Sequence, residues 1–190
     1  MRKGFTLAET LITMAVIGII MALSIPAVIQ STNDTAPLFK KAYNSVGDVV
    51  DELINDTALY PTGEITGNTF CNNFFSKLNT IGYVPGNCLN TFVSTVPGTP
   101  VATTSNSMRW YGIQQDFSTT NCDTANTGID TSVNTCVKIN VDINGANKGA
   151  NITTDQANKD IFTIYVTNLG KVAVETSATN TYDEAYILQH

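Results

Sequence analysis

Residues Phe5 to Ile29 read FTLAETLITMAVIGIIMALSIPAVI, an apolar run with a single ionisable side chain, Glu9. As a helix it would be about 37 Å long at about 1.5 Å per residue, enough to cross a bilayer core of about 30 Å. Arg2 and Lys3 stand immediately before it. The positive-inside rule then places the N-terminus in the cytoplasm and the chain beyond the helix on the far side. A cleaved secretory signal would need a shorter apolar core, with a small-residue cleavage site behind it. A plain membrane anchor fits the length but gives no reason for a carboxylate near its start. A buried helix of a soluble domain is rarely so apolar for so long. The carboxylate is therefore the informative residue: on insertion scales a charge in a membrane helix costs about 2.5–3.5 kcal/mol, so it normally has a partner. Pro26, near the outer end, removes a helical hydrogen bond and should kink or loosen the helix there.

The block Lys3-Gly4-Phe5-Thr6-Leu7-Ala8-Glu9, continued by Thr10-Leu11-Ile12, resembles the processing signal of type IV prepilins and pseudopilins. In that family a short basic leader ends in Gly, a membrane peptidase cuts after it, and the new N-terminal residue, usually Phe, is N-methylated. A Glu follows as the fifth residue of the mature chain. Gly4, Phe5 and Glu9 match those positions. The resemblance implies cleavage between Gly4 and Phe5, methylation of Phe5, and a role for Glu9 in assembly. Cleavage would create an α-amino group with a reference pKa near 8, which methylation leaves cationic. In the family that amine is thought to pair with the Glu of a neighbouring subunit, neutralising a charge buried in an apolar setting. The implied partners are a prepilin peptidase, other copies or related pilin subunits in a helical filament, an inner-membrane assembly platform and the lipid bilayer. The implied location is the bacterial inner membrane, single-pass with a cytoplasmic N-terminus, and then a periplasmic or extracellular filament.

The expected division is a leader at 1–4, a transmembrane and assembly helix at 5–30, and a pilin-like head at 31–190 that includes the C-terminal half of a long helix. Behind the polar run Ser31–Thr35, an amphipathic helix is expected from Pro37 to Thr57. Its apolar positions Phe39, Ala42, Tyr43, Val46, Val49, Val50, Leu53 and Ile54 follow helical spacing. Tyr60-Pro61-Thr62-Gly63 supplies turn chemistry after it. Phe70, Phe74, Phe75 and Leu78 suggest a short helix over Asn72–Ile81. The stretches Val93–Ser107 and Ser118–Asn134 read as exposed loops. Strands are expected at Met108–Gln114, Cys136–Ile143, Asp160–Thr167 and Lys171–Glu175. In the second, Val137, Ile139, Val141 and Ile143 alternate with Lys138, Asn140 and Asp142. Asn168-Leu169-Gly170 is a short turn joining the last two strands. A long helix followed by an antiparallel meander defines an α+β class, which matches the layout of pilin heads.

Cys71, Cys88, Cys122 and Cys136 form no CxxC pair, and His190 is the one histidine, so zinc-site spacing is absent. An even count beyond a membrane segment suits disulfides made in an oxidising compartment. Four cysteines allow three connectivities. Cys71–Cys88 and Cys122–Cys136 are favoured because both are local in sequence, and each would staple a polar loop region to a structured one.

The 190 residues carry 16 acidic and 10 basic side chains, and loss of Arg2 and Lys3 with the leader would make the balance more acidic still. No basic patch is left to neutralise a phosphate backbone, which argues against nucleic acid as a partner of the globular part. There is no phosphate loop, no second histidine and no cysteine with a candidate base nearby, so nothing points to an enzyme.

Asp142, Asn144 and Asp160, around the glycine-bearing Asn144-Gly145 turn, resemble an Asp-x-Asn-Gly…Asp pattern in the heads of some pilin-like proteins. Some major pseudopilins of type II secretion bind calcium in a loop of this region. These three residues could supply hard oxygen ligands for Ca2+. The simpler reading is an Asn/Gly-rich turn whose side chains cap its own backbone. No other cofactor is suggested. The expected function is a structural one: a subunit of a type IV pilus or pilus-like filament. A type II secretion pseudopilin, or a minor tip pilin binding a surface, DNA or cargo, is the alternative.

Overall fold

The structure, a computed structural model, describes residues 7–29, 35–88, 100–111, 116–119, 122, 127–145, 160–175 and 188, with the side chains of the first helix described as far as Ile19. The chain divides between Asp34 and Thr35 into two compact units.

The first unit contains α1, Leu7–Ile29. Every side chain described on it, from Leu7 to Ile19, is exposed. Thr10 and Thr13 interrupt the apolar run, yet both hydroxyls are satisfied within the helix. Thr10 Oγ1 donates to the Leu7 carbonyl (2.9 Å), and Thr13 Oγ1 to the carbonyls of Glu9 (2.9 Å) and Thr10 (3.0 Å). Such back-bonding removes most of the cost of carrying a hydroxyl in an apolar setting. Among the described residues, no helix is long and apolar enough to cross a membrane. The stretch expected to do so, 5–30, reaches past the described side chains at both ends.

The second unit is built from two helices and one sheet. Helix α2, Thr35–Ile54, buries Phe39, Ala42, Val46, Val49, Val50 and Leu53. Tyr43 and Ile54, at the margins of the same stripe, are half-buried. Each fully buried aliphatic or aromatic side chain is worth about 1.5–3 kcal/mol relative to exposure, so the stripe holds α2 down. Helix α3, Phe70–Lys77, buries Phe70, Cys71, Phe74 and Phe75. It starts two residues before the expected Asn72 and stops short of Ile81, because Thr80–Tyr83 has joined the sheet. Lys77 ties α3 to α2 through Glu52 (2.8 Å) and reaches Asp56, just beyond α2, at 3.7 Å.

Six antiparallel strands follow in sheet order: β1 Thr80–Tyr83, β2 Ala102–Thr104, β3 Arg109–Tyr111, β4 Cys136–Asp142, β5 Ile161–Thr167 and β6 Val172–Ala173. The α+β class and the antiparallel meander are thus present. Two strands differ from the sequence expectation. Strand β1 falls where a helix was expected to continue, and β2 lies inside Val93–Ser107, read as an exposed loop. In fact Val101, Ala102 and Thr104 are buried. Neither segment carries a periodic pattern of its own; both are held by pairing, Tyr83 with Ala102 and Ala102 with Trp110.

Strands β4 and β5 pair along their whole length, from Cys136↔Thr167 to Asp142↔Ile161. Val137, Ile139, Val141, Phe162, Ile164 and Val166 face the helices and form the main core, where Phe39 stacks on Phe162 at 4.4 Å. Alternation sends Asn140, Asp142, Tyr165 and Thr167 to the other face, and these are buried as well. At one end that face is covered by a second cluster, Cys122, Ile129, Cys136, Tyr165 and Ala173. The β5–β6 hairpin turns at Gly170, whose φ is +80° and whose N–H donates to the Thr167 carbonyl.

Candidate functional site

Two places concern function: the start of the chain and a corner of the sheet. Gly4 and Phe5 lie outside the described residues. Glu9 sits in the first turn of α1, and its side chain is exposed. A carboxylate near a helix N-terminus is favoured by the positive end of the helix dipole.

The four cysteines pair as Cys71–Cys88 and Cys122–Cys136, the two sequence-local pairs. The first fastens α3 to the short turn Pro85–Asn87 that follows β1. The second joins the start of β4 to the segment that covers the outer face of the sheet. Main-chain bonds between Ser118 and Cys136, 3.1 Å in each direction, accompany it. In the loop-entropy account, closing about 15 residues is worth roughly 3 kcal/mol.

The corner lies where β4 ends. Asp142 pairs with Arg109 of β3 on one side and with Ile161 of β5 on the other, and it is fully buried. Its Oδ1 accepts the backbone N–H groups of Asn144 (3.2 Å) and Gly145 (2.9 Å), so the carboxylate caps the turn that follows it. Its Oδ2 is buried without a hydrogen-bond partner, as is the Asn144 Oδ1. Asp160 is buried too, and its carbonyl accepts the Ile143 N–H at 3.0 Å. Burial pushes the Asp142 carboxyl above the usual carboxylate range. The two backbone donors oppose that shift, the charge of Asp160 adds to it, and Arg109 offsets part of it.

The β2–β3 turn closes over this corner. A Cβ built on Gly145 would stand 2.7 Å from the Ser107 carbonyl oxygen. Only glycine fits there, and the φ of +80° asks for glycine independently. Ser107 has a φ of +70°, the one positive value among the described residues other than glycine. Such backbone conformations cost of order 1–3 kcal/mol and persist only where the surroundings impose them.

The sequence had picked out Asp142, Asn144 and Asp160, and the structure puts Asp142 and Asn144 on one turn with Asp160 beside it. It did not bring out Ser107, Gly145 or Arg109 as neighbours of that turn. The Asn-Gly pair was visible as a turn; the cross-strand approach of Ser107 has no local signal. Among the described residues, no three His, Cys, Asp or Glu side chains gather as a group that could hold a metal. Any cation here would depend on amide and main-chain oxygens besides the two carboxylates.

A helix of apolar exposed side chains preceding an antiparallel α+β unit is consistent with a pilin-like fold. Residues 1–25 match the family model for the prokaryotic N-terminal methylation motif, which is the type IV prepilin signal. That motif supports a pilin-like or pseudopilin protein processed by a prepilin peptidase and assembled with other pilin subunits, and its family is structural rather than enzymatic. No curated protein and no solved structure gives a significant match.

Proposed function

We propose that this chain is a structural subunit of a type IV pilus or pilus-like filament. A prepilin peptidase cuts it after Gly4, Phe5 is N-methylated, and α1 carries it first into the inner membrane and then into the filament. The observation that carries the reading is the methylation motif over residues 1–25. In assembly, the Glu9 carboxylate pairs with the methylated amine of a neighbouring subunit, so two charges leave the bilayer together as one neutral pair. Intact-mass analysis of the mature protein should show loss of Met1–Gly4 and one added methyl group on Phe5. A mature chain beginning near Ala27 or Val28 would overturn the reading. Abundance in sheared filaments separates a major pilin, which dominates them, from a pseudopilin of type II secretion or a minor tip subunit, which is scarce.

The corner at Asp142 fits a hard cation of the calcium kind. Two buried acceptor oxygens there, Asp142 Oδ2 and Asn144 Oδ1, have no hydrogen-bond donor, and the donors are all oxygen, as calcium prefers. Asp142 and Asn144 would hold the ion through these two oxygens, with Asp160 as a third candidate ligand. Thermal unfolding of the full-length protein in detergent should show a higher midpoint in calcium than in chelator, by the linkage RT ln(1 + [L]/Kd). The difference should vanish in Asp142→Asn. A midpoint indifferent to calcium removes this part of the proposal.

A further inference from the structure

Resting on the cation reading of the Asp142 corner, we infer that the main-chain carbonyl of Ser107 is a further ligand of the same ion. The ion then ties the β2–β3 turn to the connection leaving β4. Three observations converge on this pairing. The Ser107 carbonyl oxygen is pressed against Gly145, where a Cβ would stand 2.7 Å from it. Gly145 in turn is held by its N–H on Asp142 Oδ1, so the carbonyl comes to the turn whose two orphaned oxygens are Asp142 Oδ2 and Asn144 Oδ1. Among the described residues, no backbone donor outside regular structure reaches the Ser107 carbonyl.

Ser107 is the left-handed residue of the β2–β3 hairpin loop, in which a type I turn over Thr104–Ser107 is followed by a residue in αL. The turn around it is already closed by Ser107 N–H on the Thr104 carbonyl (2.9 Å) and by Asn106 Oδ1, which accepts the Met108 N–H at 3.4 Å. A left-handed serine is unfavourable, and its effect here is to direct the carbonyl at Gly145. Calcium commonly takes main-chain carbonyls to complete six to eight oxygens when carboxylates are few. Ser107 is exposed at the rim, which gives the ion a way in. Arg109 faces Asp142 across the β3–β4 pair and supplies positive charge from the strand side, leaving the rim side to the ion. The consequence is a staple between two connections that are 38 positions apart in the chain by residue number, Ser107 to Gly145.

The test is amide hydrogen exchange of the full-length protein in detergent, with calcium and with chelator. At calcium about ten times Kd, linkage gives roughly tenfold slower exchange for amides opened by ion loss. That slowing is expected at Ser107 and Met108 as well as at Asn144 and Gly145, and it should disappear at all four in Asp142→Asn. Calorimetric titration of Gly145→Ala, which displaces the Ser107 carbonyl, should show calcium affinity at least about tenfold weaker, the scale of one lost ligand contact. If calcium protects Asn144 and Gly145 but leaves Ser107 and Met108 unchanged, the Ser107 ligand is overturned while the cation reading stands. If calcium neither binds nor protects any of the four, both fall.

Discussion

Helices α1 and α2 are similar in length and opposite in how they are used. On α2 the apolar side chains form one stripe, and the stripe is consumed by the chain's own core: Phe39 against Phe162, with Val46, Val50 and Leu53 fully covered. On α1 the apolar side chains are distributed around the axis, and all those described are exposed, with Leu7 at 79% and Met14 at 74%. An amphipathic helix is completed by a sheet of its own domain. A helix that is apolar on every side is completed only by a lipid phase or by other chains. The contrast matches the proposed reading, in which α1 serves assembly and α2 serves folding.

The largest effect expected from this contrast is at Glu9. In Glu9→Val, produced as the sole major subunit, the protein should still insert and remain stable, while filament yield, read by shearing and electron microscopy, should fall close to nothing. Normal filament yield would break the proposed division of labour. A matched pair of truncations sharpens it further. Phe162→Ala should cost the head about 3–5 kcal/mol, the usual range for a buried phenylalanine. Leu11→Ala should leave the head's unfolding free energy within about 0.5 kcal/mol of the unaltered protein, as a substitution outside its core.

A smaller loss than that of Phe162→Ala concerns Tyr43, at the margin of the α2 stripe. Its hydroxyl donates to the Val172 carbonyl of β6 at 3.1 Å, and Tyr43→Phe should cost about 1 kcal/mol. Burial raises the Tyr43 phenol above its ordinary pKa. The unfolded chain therefore loses this proton first, and the stabilisation is complete below the ordinary value. It declines as pH rises from about 10 towards the folded value. The gap between wild type and Tyr43→Phe in urea melts should accordingly narrow on going from pH 8 to about pH 10.5; a constant gap would show that the phenol is not held by its neighbours.

Much of this was legible in the sequence, for reasons specific to each element. The α2 stripe and the β4 alternation are local periodicities, and the apolar positions of both pack into the core. The Asn168-Leu169-Gly170 turn was readable because a positive φ at Gly170 needs glycine. Strands β1 and β2 were not readable. Thr80–Tyr83 exposes Ile81 at 74%, and Ala-Thr-Thr at β2 has no signature of its own; β2 is a strand because β3 offers it an edge, and β1 because β2 then offers the next. Polar alternation misled in one respect. It suggests a solvated second face, whereas Asn140, Asp142 and Thr167 are buried there. At the corner, Asp142 and Asn144 were visible as oxygen donors close together in sequence. Ser107 belongs with them only after three strands have folded back.

One buried ring gives the head its own optical signal. Trp110 is the chain's single tryptophan. Its indole packs edge-on against Phe74 of α3 at 5.9 Å, and its neighbour in sequence, Arg109, pairs with Asp142. Emission excited at the red edge of tryptophan absorption therefore originates in the head alone. It reads the junction of α3 with the sheet while staying blind to α1, whether that helix lies in detergent, in lipid or in a filament. Unfolding of the head can thus be followed by fluorescence in the intact protein without any label.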